Sequence, residues 1–403
     1  MRRITLTLTL LLTAWVITSC AGQPEARQRI TDPWGVVDIA RGSAIQLAAA
    51  TSISAVGVST EGVEQLRGIE LAVQDYGRIK GFPVEILVTD TGCSREGGSN
   101  TAAALVDTPD LAAVIGHTCS ESCAGAAGLY NLAHVLMVSP SCSASSLTDP
   151  LLHTDIFART IYDDAYEGRA AAQFAYYELA ARQVVLISDG TLETTALLDA
   201  FSTIFEGLGG TVMRTELLLA GESRIGAIVA NLAVEPPDVI YAPLLPKDAA
   251  SLTRLRELAG LDQIPLIGGR YYLNNWYIER AEAASEGVYA VGPITTGEGI
   301  DYLYERYAER YGKEPDGVTI VRAYDATQMV LAAIERTAVI SPSGSLQIGR
   351  KALHDALFTT SQHPGLTGSL TCTNWGDCGA SRLVVQRVQA GRWHTVYISN
   401  ESN

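Results

Sequence analysis

The sequence predicts an α/β protein built as two doubly wound parallel-sheet lobes with a ligand cleft between them. Three observations predict it. Short apolar runs of strand length alternate with helix-length segments, the pattern of parallel strands covered by helices on both faces. The alternation pauses after about residue 138 and restarts at residue 184. The chain has 403 residues, more than one hydrophobic core usually serves.

The first run opens with the apolar stretch 44–50. Val63, Leu66, Ile69, Val73 and Tyr76 then recur at helical spacing. Residues 84–88 are a predicted strand ending at Thr89-Asp90, and 101–106 a helix. Residues 112–115 form a strand, 125–132 a helix and 135–138 a strand closed by Ser139-Pro140. In the second run, 184–187, 212–219, 238–241, 265–267 and 288–290 read as strands. Residues 197–208, 225–233 and 249–259 read as the helices between them. Residues 365–370, 383–388 and 394–398 read as strands added late to the second lobe.

The N-terminus belongs to neither lobe. Met1-Arg2-Arg3 is basic, and residues 4–17 are apolar apart from threonines. Ile17-Thr18-Ser19-Cys20 closes the run with small residues. This is the pattern of a secretory signal peptide over residues 1–19, too short to span a bilayer comfortably. Its end resembles a bacterial lipobox, which implies Cys20 as a lipidated first residue. Residues 20–43, polar and without periodicity, are expected to tether the folded part to the membrane.

Charge and cysteine usage narrow the function. Lys and Arg number 29 against 44 Asp and Glu, a net charge of −15. No basic stripe is available to neutralise phosphates, which argues against nucleic acid or an anionic membrane surface as partner. In an exported chain thiols tend to pair. With Cys20 set aside, Cys93, Cys119, Cys123, Cys142, Cys372 and Cys378 form an even set with fifteen possible connectivities. Cys372 and Cys378 flank the turn-rich Thr-Asn-Trp-Gly-Asp and are expected to bridge each other.

In doubly wound sheets, ligands bind beyond the carboxyl ends of the strands, at loops leading into helix N-termini. Polar clusters occupy those places here: Thr89-Asp90, residues 116–122 and 139–146, then Ser188-Asp189-Gly190 and Gly268-Gly269-Arg270. Backbone N–H groups at helix starts, together with serine hydroxyls, suit a carboxylate. Any single serine there is as well explained as a helix cap.

These residues carry a family resemblance over about residues 44–388. In order they are Gly68-Ile69-Glu70-Leu71-Ala72-Val73, then Val88-Thr89-Asp90 with Cys93, then Val114-Ile115-Gly116-His117-Thr118-Cys119-Ser120. Leu136-Met137-Val138-Ser139-Pro140-Ser141-Cys142-Ser143 comes next, with Leu147-Thr148 behind it. Arg159-Thr160 closes the series, followed by Asp164 and Gly168. The chain resembles the type I periplasmic binding proteins, specifically the branched-chain amino-acid (leucine/isoleucine/valine) binding group of ABC importers. The resemblance implies a Cys93–Cys119 disulfide, which leaves Cys123 and Cys142 as a second pair. It implies that the hydroxyls of Ser120 and Ser143 hold a ligand carboxylate, and that the Ser141 carbonyl accepts from an ammonium. It places Glu61, Glu193 and Leu245 at side-chain pocket positions that are aromatic in leucine binders. Tyr162 is added as a pocket wall.

One position departs from the family. The amino-acid binders carry a glutamate for the ligand ammonium where this chain has Arg270. A guanidinium attracts carboxylates and repels ammonium. The expected ligand is therefore a polar or acidic amino acid, or an organic acid or amide, ahead of leucine. Glu61 and Glu193 are candidates to pair with Arg270.

Two other chemistries fit these residues poorly. His117 and Cys119 could form a Cys/His nucleophile site, but neighbours on one short loop converge poorly and the cysteine is expected to be oxidised. A zinc site from His117, Cys119 and Cys123 would need reduced thiolates and a fourth ligand. His117 is expected to be a packed loop residue. Asp163-Asp164 is expected to be solvated or to cap a helix. No enzyme activity, cofactor or metal is expected.

The expected organisation is lobe 1 from 44–160 and 288–363, and lobe 2 from 161–287 and 364–403. The chain would cross between lobes near 159–162, 286–289 and 362–366. Three crossings imply a stiff hinge with one main opening motion. The expected function is an extracytoplasmic, lipid-anchored and monomeric solute-binding protein that hands its ligand to an ABC permease. The alternative is a ligand-sensing lipoprotein that reports to a separate membrane sensor.

Overall fold

The computed structural model describes residues 30–55, 59–218, 224–294, 297–379 and 383–399. The leader and Cys20 lie outside the described residues.

The first segment runs β1 (Val36–Ile39), β2 (Ile45–Thr51), α1 (Ser59–Tyr76), β3 (Val84–Asp90), α2 (Arg95–Leu105), β4 (Leu111–Gly116), α3 (Ser120–Leu132), β5 (Leu136–Ser139) and β6 (Phe157–Arg159). Strands β2 to β6 make one parallel sheet in the order β3-β2-β4-β5-β6. The strand β2 shows why the sheet is covered twice. Ile45, Leu47 and Ala49 enter one core cluster, while Ala48 and Ala50 enter the other. A side-chain period of two sends alternate residues to opposite faces, so a strand buried on both reads as a continuous apolar run.

The second segment runs α4 (Asp164–Gln173), β7 (Gln183–Ser188), α5 (Leu192–Gly207), β8 (Thr211–Leu217), α6 (Ile225–Val234), β9 (Val239–Tyr241), α7 (Pro246–Leu258), β10 (Leu266–Gly268), α8 (Asn275–Ala281) and β11 (Tyr289–Pro293). Its parallel strands are ordered β8-β7-β9-β10-β11. Counted within each lobe, both sheets follow the winding 2-1-3-4-5. The first and third strands are neighbours in each, and loops leaving them in opposite directions open a crevice between their ends.

The chain then returns to lobe 1 as α9 (Glu298–Tyr311), α10 (Thr319–Thr337), β12 (Val339–Ile340), β13 (Leu346–Gly349), α11 (Arg350–Phe358), β14 (His363–Gly365) and β15 (Gly368–Leu370). It ends in lobe 2 with β16 (Leu383–Gln389) and β17 (Arg392–Ile398), antiparallel additions beside β11. Helix α10 buries Ala323, Ala326, Met329 and Val330 against the lobe 1 sheet. It lies so close to α1 that a Cβ on Gly68 would sit 2.5 Å from the Ile320 carbonyl oxygen, a contact that only glycine permits.

Three boundaries differ from the sequence expectation. The end of the expected tether is folded: β1 pairs antiparallel with β13, and Trp34 stacks on His134 at 4.7 Å. Backbone pairing and burial of Val37 and Ile39 claim this short apolar stretch within an otherwise polar segment. Strand β11 belongs to the lobe 2 sheet, so the second crossing follows Pro293 rather than preceding residue 288. The segment 363–379 packs on lobe 1, not lobe 2. Leu370 and Cys378 enter the cluster of Ile45 and Leu47, and Asp325 of α10 accepts from the backbone N–H groups of Leu366 and Thr367 at 2.7 and 2.9 Å. The third crossing thus comes after Gly379. The first lies where expected, since Arg159 ends the last strand of one sheet and α4 begins the second lobe. No described helix is long and apolar enough to cross a membrane.

Candidate functional site: the interlobe cleft

The lobe 1 side of the cleft is made by the loops after β4 and β5. The disulfide from Cys123 to Cys142, with Cα atoms 6.5 Å apart, ties the two together, and that from Cys93 to Cys119, with 5.3 Å, ties the first of them to the loop after β3. Hydrogen bonds complete the fastening. The Ser139 hydroxyl donates to the His117 carbonyl at 2.8 Å and accepts from the N–H groups of Ser141 and Cys142. The Ser141 hydroxyl donates to the Thr118 carbonyl at 2.7 Å, and the Ser120 hydroxyl accepts from the Ala144 N–H at 3.2 Å. Ser120, Ser141 and Ser143 are all fully or almost fully buried. His117 is packed beneath them with Nε2 3.2 Å from the Tyr130 hydroxyl, and burial pushes its pKa down to about 3. With Cys119 in a disulfide, the loop holds no thiolate for His117 to activate.

The opposing wall carries Arg270, presented by Gly268-Gly269 after β10. A Cβ on Gly269 would lie 2.8 Å from Glu167 Oε1, and one on Gly268 would lie 2.4 Å from the Tyr272 ring. Gly269 lets this turn press against α4, and Gly268 leaves room for the Tyr272 ring beneath it. The Arg270 guanidinium then sits in a cage of carboxylates. Its Nη1 lies 3.3 Å from Asp164 Oδ1 and 3.5 Å from Glu167 Oε2, and its Nη2 pairs with Glu193. The Arg270 backbone N–H donates to Glu167 at 3.1 Å. The Tyr271 hydroxyl donates to the other oxygen of Glu193 at 3.1 Å, and the Tyr271 ring lies 4.8 Å from the guanidinium carbon. Across the cleft, Nη2 also donates to the Ser143 hydroxyl at 2.7 Å.

Burial pushes the pKa values of Asp164, Glu167 and Glu193 up, and the charge of Arg270 pulls each back. Burial likewise opposes the charge of Arg270, but Glu193, Asp164 and Glu167 more than offset it and hold its pKa well above the ordinary value. The cage is a mutual arrangement: remove the cation and three buried carboxylates lose their counter-charge.

Beside this cage lies a cavity of about 320 Å³, at the small end of the range for ligand pockets. The first turns of α1 and α10, with the loop before α10, form its lobe 1 wall. Pro246, Lys247, Arg270, Tyr271, Leu273, Asn274 and Trp276 form its lobe 2 wall. The lobes touch around it. The Leu192 N–H at the start of α5 donates to Glu121 of α3 at 2.9 Å, and Asn275 N–H donates to the Asp316 carbonyl at 3.3 Å.

Among the eight residues expected to hold ligand, the cavity wall includes Glu61 and Arg270. Ser120, Ser141 and Ser143 stand apart from it, each hydroxyl bonded within the protein. Glu193 serves Arg270, as one of the two partners that the sequence offered; Glu61 instead accepts from Thr319 Oγ1 at 3.0 Å. Tyr162 is buried near Glu167 and outside the wall. Leu245 is the half-buried residue preceding α7, while its neighbours Pro246 and Lys247 reach the cavity. Asp163 caps α4 by accepting from the Ala165 N–H at 2.6 Å, but Asp164 is not solvated: it faces Arg270 with no exposure. Tyr271, Trp276 and Arg322 line the cavity without having been singled out by the sequence; their signal is placement beyond the strand β10 and at the start of a helix.

Comparison with known proteins agrees with this architecture. The periplasmic binding protein family matches residues 44–391. An amino acid binding protein of Pseudomonas aeruginosa is 26% identical over 293 residues, covering 70% of this chain and 76% of that protein. The solved structure of a leucine binding protein from Thermotoga maritima superposes with a TM-score of 0.79 at 24% identity, over 89% of this chain and 99% of that one. A solute binding protein of an ABC transporter from R. palustris, solved with benzoate, superposes with a TM-score of 0.78 at 18% identity, over 88% and 96%. These relatives are binding proteins rather than enzymes, and the family's place is outside the cytoplasm. Two lobes of identical winding around a closed cleft, together with a match spanning both of them, show that the chain belongs to the periplasmic binding protein family, with the type I fold.

Proposed function

We propose that the protein is the solute-binding component of an ABC importer. It captures a small carboxylate-bearing solute by closing its lobes and delivers it to a membrane permease. The observation that carries this reading is the cavity enclosed between two lobes that three chain crossings join. Three parallel connections restrict the lobes to one main opening motion, and a solute filling the gap would tie them shut. Relatives of the fold bind an amino acid or an aromatic acid. Arg270 argues against an ammonium in the region where the resemblance would put one, because its caged guanidinium already occupies that region. Lipid attachment at Cys20 would hold a monomer beside the permease, on the outer face of a bacterial membrane.

A thermal-shift panel of aliphatic, acidic, basic and amide amino acids, dicarboxylates and aromatic acids tests the reading. A true solute at 100 times its dissociation constant should stabilise the protein by about 2.7 kcal/mol. No stabilisation by any member would overturn the capture of a small carboxylate. It would also turn attention to the other reading, a binding lipoprotein that reports to a separate sensor.

A further inference from the structure

The cleft holds a second arginine, and its surroundings assign it a role. Resting on the reading of the cleft as a solute site, we infer that Arg322 anchors the carboxylate of the solute, and that the solute is a carboxylate with an apolar body.

Arg322 projects from the first turn of α10 into the cavity wall and is 3% exposed. Its Nη2 donates to Thr319 Oγ1 at 3.3 Å and lies 3.9 Å from Glu61 Oε1. Its Nε and Nη1 are buried with no acceptor. Arg270, lining the same cavity, has one such group, its Nε. The buried donors that the wall leaves unmet are thus guanidinium N–H groups, which call for an acceptor from the occupant.

Charge points the same way. The cation of Arg270 is surrounded by three carboxylates, whereas that of Arg322 has Glu61 alone, and at 3.9 Å. Burial pushes the pKa of Arg322 down, and Arg270 nearby pushes in the same direction. An incoming carboxylate would supply both the missing acceptors and the missing negative charge. The rest of the solute would meet Trp276, Tyr271, Leu273 and Pro246, whose side chains give the cavity a mainly apolar wall. This assignment moves the head-group site. The serine loops, where the resemblance places the carboxylate, already have the Arg270 guanidinium on Ser143.

The test is calorimetric titration of the full-length protein with benzoate, phenylacetate and leucine, and with benzamide and phenylacetamide as neutral counterparts. The carboxylates should bind and the neutral amides should bind at least about 30-fold more weakly. Arg322→Gln should weaken the best carboxylate by at least about 30-fold, Arg322→Lys should recover part of the loss, and Ser143→Ala should change affinity by less than about threefold. The ligand-free melting temperature of each variant reports whether it folds. Binding that survives Arg322→Gln, or that is lost in Ser143→Ala instead, would overturn the inference and leave the solute-binding function intact. So would amides binding as well as their acids. If no carboxylate binds, the inference is overturned, and titration with neutral and cationic solutes decides whether the solute-binding reading falls with it.

Discussion

The two ends of the cleft hold the same side chain in opposite conditions. At the serine end, the guanidinium of Arg270 meets Asp164, Glu167, Glu193 and Ser143, leaving one N–H unmet. At the far end, Arg322 has a threonine hydroxyl, a carboxylate at 3.9 Å, and two unmet N–H positions. Both are buried. The first has its charge fully answered and behaves as part of the wall. The second is complete only with something added. The difference teaches that a buried cation marks a binding site by what it lacks, not by its charge.

The largest test of this contrast is Arg270→Met. Three buried carboxylates would lose their counter-charge, and urea denaturation should show a loss of about 3–5 kcal/mol. A loss below about 1 kcal/mol would mean that the cage is not a unit. Next in size is the fastening of the serine loops. Replacing Cys123 and Cys142 together by alanine should cost about 2–4 kcal/mol under oxidising conditions, and equal stability under reducing conditions is the matching control. Smaller per unit of pH is the effect of His117 beneath those loops. Its folded pKa, about 3, lies below the ordinary 6.5, so the unfolded chain takes up the proton first. Stability should therefore fall as pH drops from 6.5 toward 3, by up to about 1.4 kcal/mol per pH unit from this group. In His117→Gln the decline should be shallower by that slope, read from denaturation midpoints at pH 7, 6, 5 and 4. Smallest is Arg322→Met in the absence of solute. Because it removes a buried cation with unmet donors, stability should stay within about 1 kcal/mol of the parent or rise. A loss as large as that of Arg270→Met would erase the distinction between the two ends.

The same contrast separates what the sequence could and could not say. The windings were legible because parallel strands buried on both faces write themselves as apolar runs, as residues 45–50 and 111–116 do. The place of the cleft was legible because loops beyond strand ends face it. Residues alone paired Cys372 with Cys378 and left three pairings for the other four cysteines; the family resemblance singled out Cys93–Cys119, and the structure contains both bridges. Arg270 stood out as a departure from that family, but its neighbours did not. Asp164, Glu167, Glu193 and Arg270 come from α4, α5 and the turn after β10, and no local spacing reveals that their ends meet. Arg322 was missed along with its helix. Ile320, Ala323, Thr327, Val330 and Ile334 recur at helical spacing, so α10 had a signal that a reading by strand–helix alternation passes over. The boundary errors at β1 and at 363–379 share one cause: short segments that gain their order from distant partners, β13 and Asp325.

The position of α10 in the chain has a consequence for how the protein is made. Strands β2 to β6 leave the synthesis or export machinery early, yet one face of their sheet, partly covered by α1, is completed by α10, which comes only after every parallel strand of lobe 2. Until Thr319–Thr337 arrives, that face lacks its helix over β4 and β5, with Ile115 and Val138, although α1 already packs Leu66 and Ile69 into the same cluster. Lobe 2's five parallel strands and their helices, by contrast, form one uninterrupted stretch from Asp164 to Pro293. The later-born lobe can therefore build its parallel core first, and the earlier-born one must wait open for its lid, a vectorial delay in which an escorting chaperone would have the most to do.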